Sequence, residues 1–176
     1  MRRVFAAACL LTACTIVPPE MDPSTPMPGT PRPLPTPEGS RPIRYVQPHP
    51  ELADGVIAEA NLARHAEGLL PLATSSGADR AAMAYAQELA ARKEISHTSP
   101  ARGLEDPGSR LSAAGVSWTR VAENLAMFSP RVGIAEHSID GWLKSSGHRR
   151  NLLNPAYTIT GAGVASDERG YYYVVQ

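Results

Sequence analysis

Val121-Ala122-Glu123-Asn124-Leu125-Ala126-Met127-Phe128 places an acid and an amide inside an otherwise apolar run. The apolar and aromatic residues around the pair predict a strand over 121–128. A carboxylate flanked in this way is either a buried structural group or part of a site. Two more strand patterns follow late in the chain, over Tyr157 to Val164 and Tyr171 to Val175, both rich in β-branched and aromatic residues. Asp167-Glu168-Arg169-Gly170 between them is a hairpin turn signal.

Helical patterns come first in the chain. Leu52, Val56, Ile57, Ala60 and Ala63 recur at helical spacing, and Gly68 suits the end of that helix. Ala78 to Glu94 is alanine-rich and carries Met83, Tyr85 and Leu89, with Ser76 as an expected cap. A short helix is predicted from Ser109 to Ala114, ended by Gly115. Ser129-Pro130 is a helix-start signal, a capping hydroxyl followed by proline at the first helical position. That helix would carry Ile134, His137, Ile139, Trp142 and Leu143. Helices first and strands late predict an α+β fold in layers.

The flanks read differently. Met1-Arg2-Arg3 followed by the apolar Val4 to Leu11 is too short to span about 30 Å of hydrocarbon and has the form of a signal peptide over residues 1–13. Leu11-Thr12-Ala13-Cys14 then matches a lipobox, with Cys14 as the acylated residue. The expected result is an exported lipoprotein anchored to a membrane at the bacterial cell envelope. Residues 14–49 form a Pro-rich tether: 12 of the chain's 17 prolines fall between residues 15 and 50. Proline lacks the amide donor a helix needs. A polyproline II spacer of this length, at about 3.1 Å per residue, reaches on the order of 100 Å. Residues 50–176 are then the single folded domain.

The two cysteines, Cys9 and Cys14, both lie at the leader, so the domain has no disulfide and rests on its core. Basic and acidic residues number 17 each; removing the leader takes Arg2 and Arg3 and leaves 15 against 17. Nothing in this balance points to nucleic acid.

His97, Glu123 and His148 are the candidate chemical residues. Two histidines and a carboxylate are a workable ligand set for zinc or magnesium, or for general acid–base work. Their spacings of 26 and 25 residues match no self-contained metal motif. The chain contains no Gly-x-Ser-x-Gly elbow, His-Glu-x-x-His, phosphate loop or dinucleotide fingerprint.

An ordered set of short motifs adds to this. Asn61-x-x-Arg64, Gly68-Leu69-x-Pro71-Leu72, His97-Thr98-Ser99, Glu123-Asn124, Trp142-x-x-Ser145, Gly147-His148-Arg149-x-Asn151, Gly161-x-Gly163-Val164 and Tyr172-Tyr173-Val174 occur in this order. The set resembles the CAP superfamily (SCP-like, cysteine-rich secretory proteins) in its short bacterial form, over about 70% of the chain. The resemblance implies a three-layer α-β-α sandwich with a ligand-binding cavity lined by His97, Glu123, Asn124, Ser145 and His148. The family's second acid falls on Ser145, which weakens both a tight metal site and a two-carboxylate mechanism. The reading therefore favours a non-catalytic binding module for lipid, cell-wall polymer or protein, with no catalytic residue assigned. The alternative is a metal-dependent hydrolase acting on peptide or wall substrates through His97, Glu123 and His148.

Overall fold

Ala78, Ala82, Ala86 and Ala90 recur every fourth residue, and all four are buried. They lie on α2 (Ser76–Arg92), whose flat, small-residue face lets a sheet approach closely. The computed structural model describes residues 45–129 and 132–176. The signal peptide, Cys14 and the tether up to residue 44 lie outside the described residues.

Five helices occur among them: α1 (Pro50–Ala66), α2, α3 (Pro107–Ala113), α4 (Ile134–Lys144) and α5 (Ser146–Leu152). Helix α1 has proline in its first turn and ends at Gly68, where Leu69 N–H donates to Arg64 O and Gly68 N–H to His65 O. This is the Schellman arrangement that glycine at positive φ permits. The expected cap of α2 shifts by one residue: Ser75, not Ser76, accepts from Ala78 N–H. Helix α3 starts two residues before the expected Ser109, because Asp106 caps it and Pro107 opens it. Gly115 ends it as expected, with Val116 N–H on Leu111 O.

The sheet has the order β1 (Gln47–Pro48), β5 (Gly163–Ser166), β6 (Tyr172–Val175), β3 (Leu125–Phe128), all antiparallel. A second, two-stranded parallel sheet joins β2 (Ala73–Thr74) to β4 (Ile159–Thr160). The turn at 167–170 closes the β5–β6 hairpin as expected. Burial pulls the Asp167 carboxyl upward in pKa, but hydrogen bonds from the Arg169 side chain and the Tyr171 and Arg169 amides outweigh it and hold the acid below its usual value.

Alternation along the strands builds two cores. Val164 and Val174 face α1, α4 and α5 with Val56, Ile57, Ile139, Trp142 and Leu152. Ala165, Tyr173 and Val175 face α2 with Tyr85, Ala86 and Leu89. Helices therefore cover both faces of the sheet, which is the expected three-layer α-β-α sandwich.

Three expectations need correction. The helix predicted from Ser129-Pro130 begins at Ile134, after Gly133 at φ 72°; Pro130 and Arg131 lie outside the described residues. The strand predicted over 121–128 is confined to 125–128, paired with β6, with one further rung at Asn124; residues 121–122 have no strand beside them. The run 157–164 divides into β4 and β5 at Gly161-Ala162, where the chain leaves one sheet for the other.

Gly161 and Gly163 lie against the backbone of α2. A Cβ at Gly163 would collide with the backbone of Ala82 and Met83, and one at Gly161 with that of Ala78 and Asp79. Gly163→Ala is expected to cost about 1–3 kcal/mol, because no side-chain rotation relieves a clash with main chain. Thermal unfolding checks this, and an unchanged midpoint would show that the helix can shift.

Candidate functional site

Glu123 is 9% exposed and sits at the end of the extended segment that leads into β3. A buried carboxylate must find donors or become neutral. It finds two. His97 Nδ1 lies 2.9 Å from Oε1, and Arg110 Nη2 donates to Oε2 at 2.6 Å. The Arg110 side chain is 6% exposed, that of His97 55%. The Glu123–Arg110 pair is therefore buried and desolvated, and His97 covers its outer side.

Arg110 was not among the candidate residues. It projects from α3 over the ring of Tyr85 at 3.5 Å to the centroid. It also donates to Leu104 O at 3.1 Å and to His97 O at 3.4 Å, so one guanidinium holds the 97–105 loop, the acid and the aromatic ring together. Tyr85 Oη donates to Ser96 O at 2.5 Å. Burial pushes the Tyr85 hydroxyl above its ordinary pKa; Arg110 pulls it down, and Glu123 and Glu88 push it up. An arginine between leucine and serine carries no local mark of this role. The Asp106-Pro107 start signal could have placed its helix, but not its side chain.

Asn124, 2% exposed, is a second hub. Its main chain exchanges two hydrogen bonds with Gln176, extending the β3–β6 ladder by one rung. Its Nδ2 donates to His148 O, and its Oδ1 accepts from Asn151 Nδ2 at 3.1 Å. The last motif of α5 is thus tied to the Glu-Asn pair through Asn151 and the His148 carbonyl. Ser145 is the junction of α4 and α5: its N–H bonds Trp142 O and its carbonyl accepts from Arg149 N–H. Trp142 Nε1 donates to Leu125 O at 3.0 Å, fixing α4 on the edge of β3.

The five residues expected around one cavity are therefore divided. His97 and Glu123 touch. A cavity of about 250 Å³ lies beside them, lined by Glu123 and Asn124 but not by His97, Ser145 or His148. Among the described residues no three His, Cys, Asp or Glu side chains converge as a metal ion would require. The trio His97, Glu123 and His148 does not fit zinc or magnesium in this arrangement. Both Glu123 oxygens are engaged, and the permanently charged Arg110 stands where it would repel a cation.

The segment 117–122, which runs directly into Glu123, also lines the cavity and includes Trp118. Trp118 is 46% exposed, yet its Nε1 donates to Gly108 O at 3.0 Å and lies 3.1 Å from Ser112 Oγ.

Comparison with known proteins agrees with this architecture. Residues 57–176 match the model of the CAP family, described as the cysteine-rich secretory protein family. The uncharacterized protein YkwD of Bacillus subtilis is 31% identical over 108 residues, 61% of this chain and 40% of that protein. The uncharacterized membrane protein YlbC of the same organism is 34% identical over 118 residues, 66% of this chain and 32% of that one. The chain thus spans less than half the length of these curated relatives. An extracellular SCP-domain protein from Bacillus anthracis superposes with a TM-score of 0.58 at 27% identity, covering 72% of this chain and 40% of that one. An outer surface protein of Borrelia burgdorferi superposes with a TM-score of 0.60 at 20% identity, covering 71% and 90%. With the matched residues spanning most of both cores and the whole Glu123–Arg110–Asn124 network, the chain belongs to the CAP, or cysteine-rich secretory protein, family.

Proposed function

We propose that this chain is an exported, lipid-anchored protein whose CAP domain binds a lipid, wall-polymer or protein ligand at the cell envelope without chemistry of its own. One observation carries the reading. Glu123, the natural general base or metal ligand of the site, has one oxygen on His97 and the other on the buried Arg110. Both oxygens of this carboxylate are thus held by protein donors instead of being presented free to a substrate water. The cavity beside it, with the half-exposed Trp118 in its lining, suits binding. The signal peptide and the Cys14 lipobox support export and anchoring. So do the extracellular and outer-surface descriptions of proteins that share the fold. Among the described residues no helix is long and apolar enough to cross a membrane, so attachment would rest on Cys14.

The test is the double variant His97→Ala, His148→Ala in the full chain. His97 is half exposed, so losing it costs under about 1 kcal/mol. The variant is expected to stay folded and to cosediment with isolated envelope fractions as the natural chain does. Zinc and magnesium are expected to give no saturable heat with either protein. Micromolar metal binding, near −8 kcal/mol, or peptide or wall-polymer turnover that disappears in the variant, would make the hydrolase the better reading.

A further inference from the structure

The cavity is lined by two stretches outside the helices, residues 117–122, with a bend at Thr119, and residues 157–161, which include β4. In β4, Thr158 O and Thr160 O accept from Ala73 N–H and Ser75 N–H of the β2 side. Alternation along a parallel ladder then turns the N–H and C=O of Ile159 away from β2, leaving β4 an open edge. Across the cavity, the main-chain groups of 117–122 make no hydrogen bond to any described residue. Both stretches bring unpaired donors and acceptors to one cavity.

Trp118 stands in that space. Its ring is seated on Gly108, where an added Cβ would collide with it, and its indole N–H is held by α3. An aromatic residue held in place yet half exposed is ready to receive an apolar side chain. Arg120, also lining the cavity, is exposed and pairs with no acid among the described residues.

From this we infer that the slot between residues 117–122 and β4 binds an extended peptide by strand addition. The peptide's main chain pairs with the open edge at Ile159 and with the 117–122 backbone. An apolar side chain rests on Trp118, and a neighbouring carboxylate meets Arg120. The main-chain N–H and C=O of Ile159 and the unpaired main chain of 117–122 match another backbone, and Trp118 beside them matches an apolar side chain; an acyl chain offers no partner for the main-chain groups. The inference rests on the binding-module reading and names the ligand class.

The probe is a phage-displayed random nonapeptide library panned on the full chain. The best sequence is then synthesised with a fluorophore and measured by anisotropy. Selected peptides are expected to share an apolar residue near an Asp or Glu and to bind with micromolar Kd. N-methylation of one alternating set of amides should weaken binding at least about tenfold, and of the other set much less. Trp118→Ala should weaken it about tenfold or more. Ile159→Pro removes the N–H on the open edge without touching the bonds to β2, and should do the same. Circular dichroism confirms that each variant is folded. No enrichment, or binding indifferent to N-methylation and to Ile159→Pro, overturns the slot and leaves the binding-module reading standing. A peptide bound as expected but recovered cut supports the slot and overturns the non-catalytic reading.

Discussion

Replacing Arg110 by methionine is expected to destabilise the domain by about 3–5 kcal/mol, the cost of leaving one member of a buried ion pair without its partner. The side chains of Arg110 and Glu123 are each 6% exposed, so water can replace little of the lost bond. Methionine keeps an unbranched side chain of similar length, while the guanidinium's contact with the Tyr85 ring and its bonds to Leu104 O and His97 O go with the charge. For a domain of this size the midpoint should fall by roughly 10 °C or more. The double variant Arg110→Met, Glu123→Gln should recover part of the loss, since it removes the stranded charge and leaves a neutral amide for His97. His97→Ala alone should cost far less, because the imidazole side chain is 55% exposed. Calorimetric melting of the four proteins settles the point. A single Arg110→Met variant within 1 kcal/mol of the natural chain would show that Glu123 finds another partner or takes up a proton without penalty.

Arg64 is expected to show a loss of the same order by a different mechanism. Only 2% exposed, it has no acidic partner among the described residues; instead it donates to four main-chain carbonyls. Its Nε bonds Leu70 O at 3.0 Å, and its Nη1 bonds Leu152 O at 2.9 Å and Asn154 O at 3.0 Å. A longer contact joins Nη2 to Tyr157 O at 3.4 Å. The burial that lets it reach them lowers its pKa. Through these bonds α1 carries the turn after it and the whole passage from α5 to β4. Arg64→Ala should cost about 3–5 kcal/mol, because hydrogen bonds to a charged donor are lost and buried carbonyls are left without one. Arg64→Lys should lose about half of that, since an ammonium cannot reproduce the planar fork. Urea titration gives the stability, and an unchanged m value would show that unfolding still exposes the same surface. Amide exchange should quicken first around residues 152–157. A lysine variant as stable as the natural chain would mean that charge alone, not the fork, supports this passage.

Much of the architecture was legible because it is local. The alanine-rich α2, the aromatic and β-branched Tyr172–Val175, and the turn at Asp167–Gly170 each carry their own periodicity or turn chemistry. The ordered motifs pointed to the family before any contact was known, and the late strands with early helices pointed to layers. Boundaries were less legible. Asp106 and Pro107 outcompeted Ser109 as the start of α3, and residues 121–122 looked like strand but had no strand beside them. Helix α5 and the two-residue strands β1, β2 and β4 are too short to leave a periodic signal.

The sequence by itself determined the chemistry available: a mixed layered fold, the candidate trio His97, Glu123 and His148, serine where a second acid would stand, and an apolar leader ending at Cys14. Only the tertiary structure decided how that chemistry is used. It ties one oxygen of Glu123 to His97 and the other to an arginine thirteen residues away in the chain, and it does not bring the His148 side chain into that cluster. It also sets the backbone of 117–122 across a cavity from β4. Pattern reading sees periodicity within one element; these contacts join elements distant in the chain. Their partners are chosen by burial, which demands a donor for each acceptor wherever the chain brings them together.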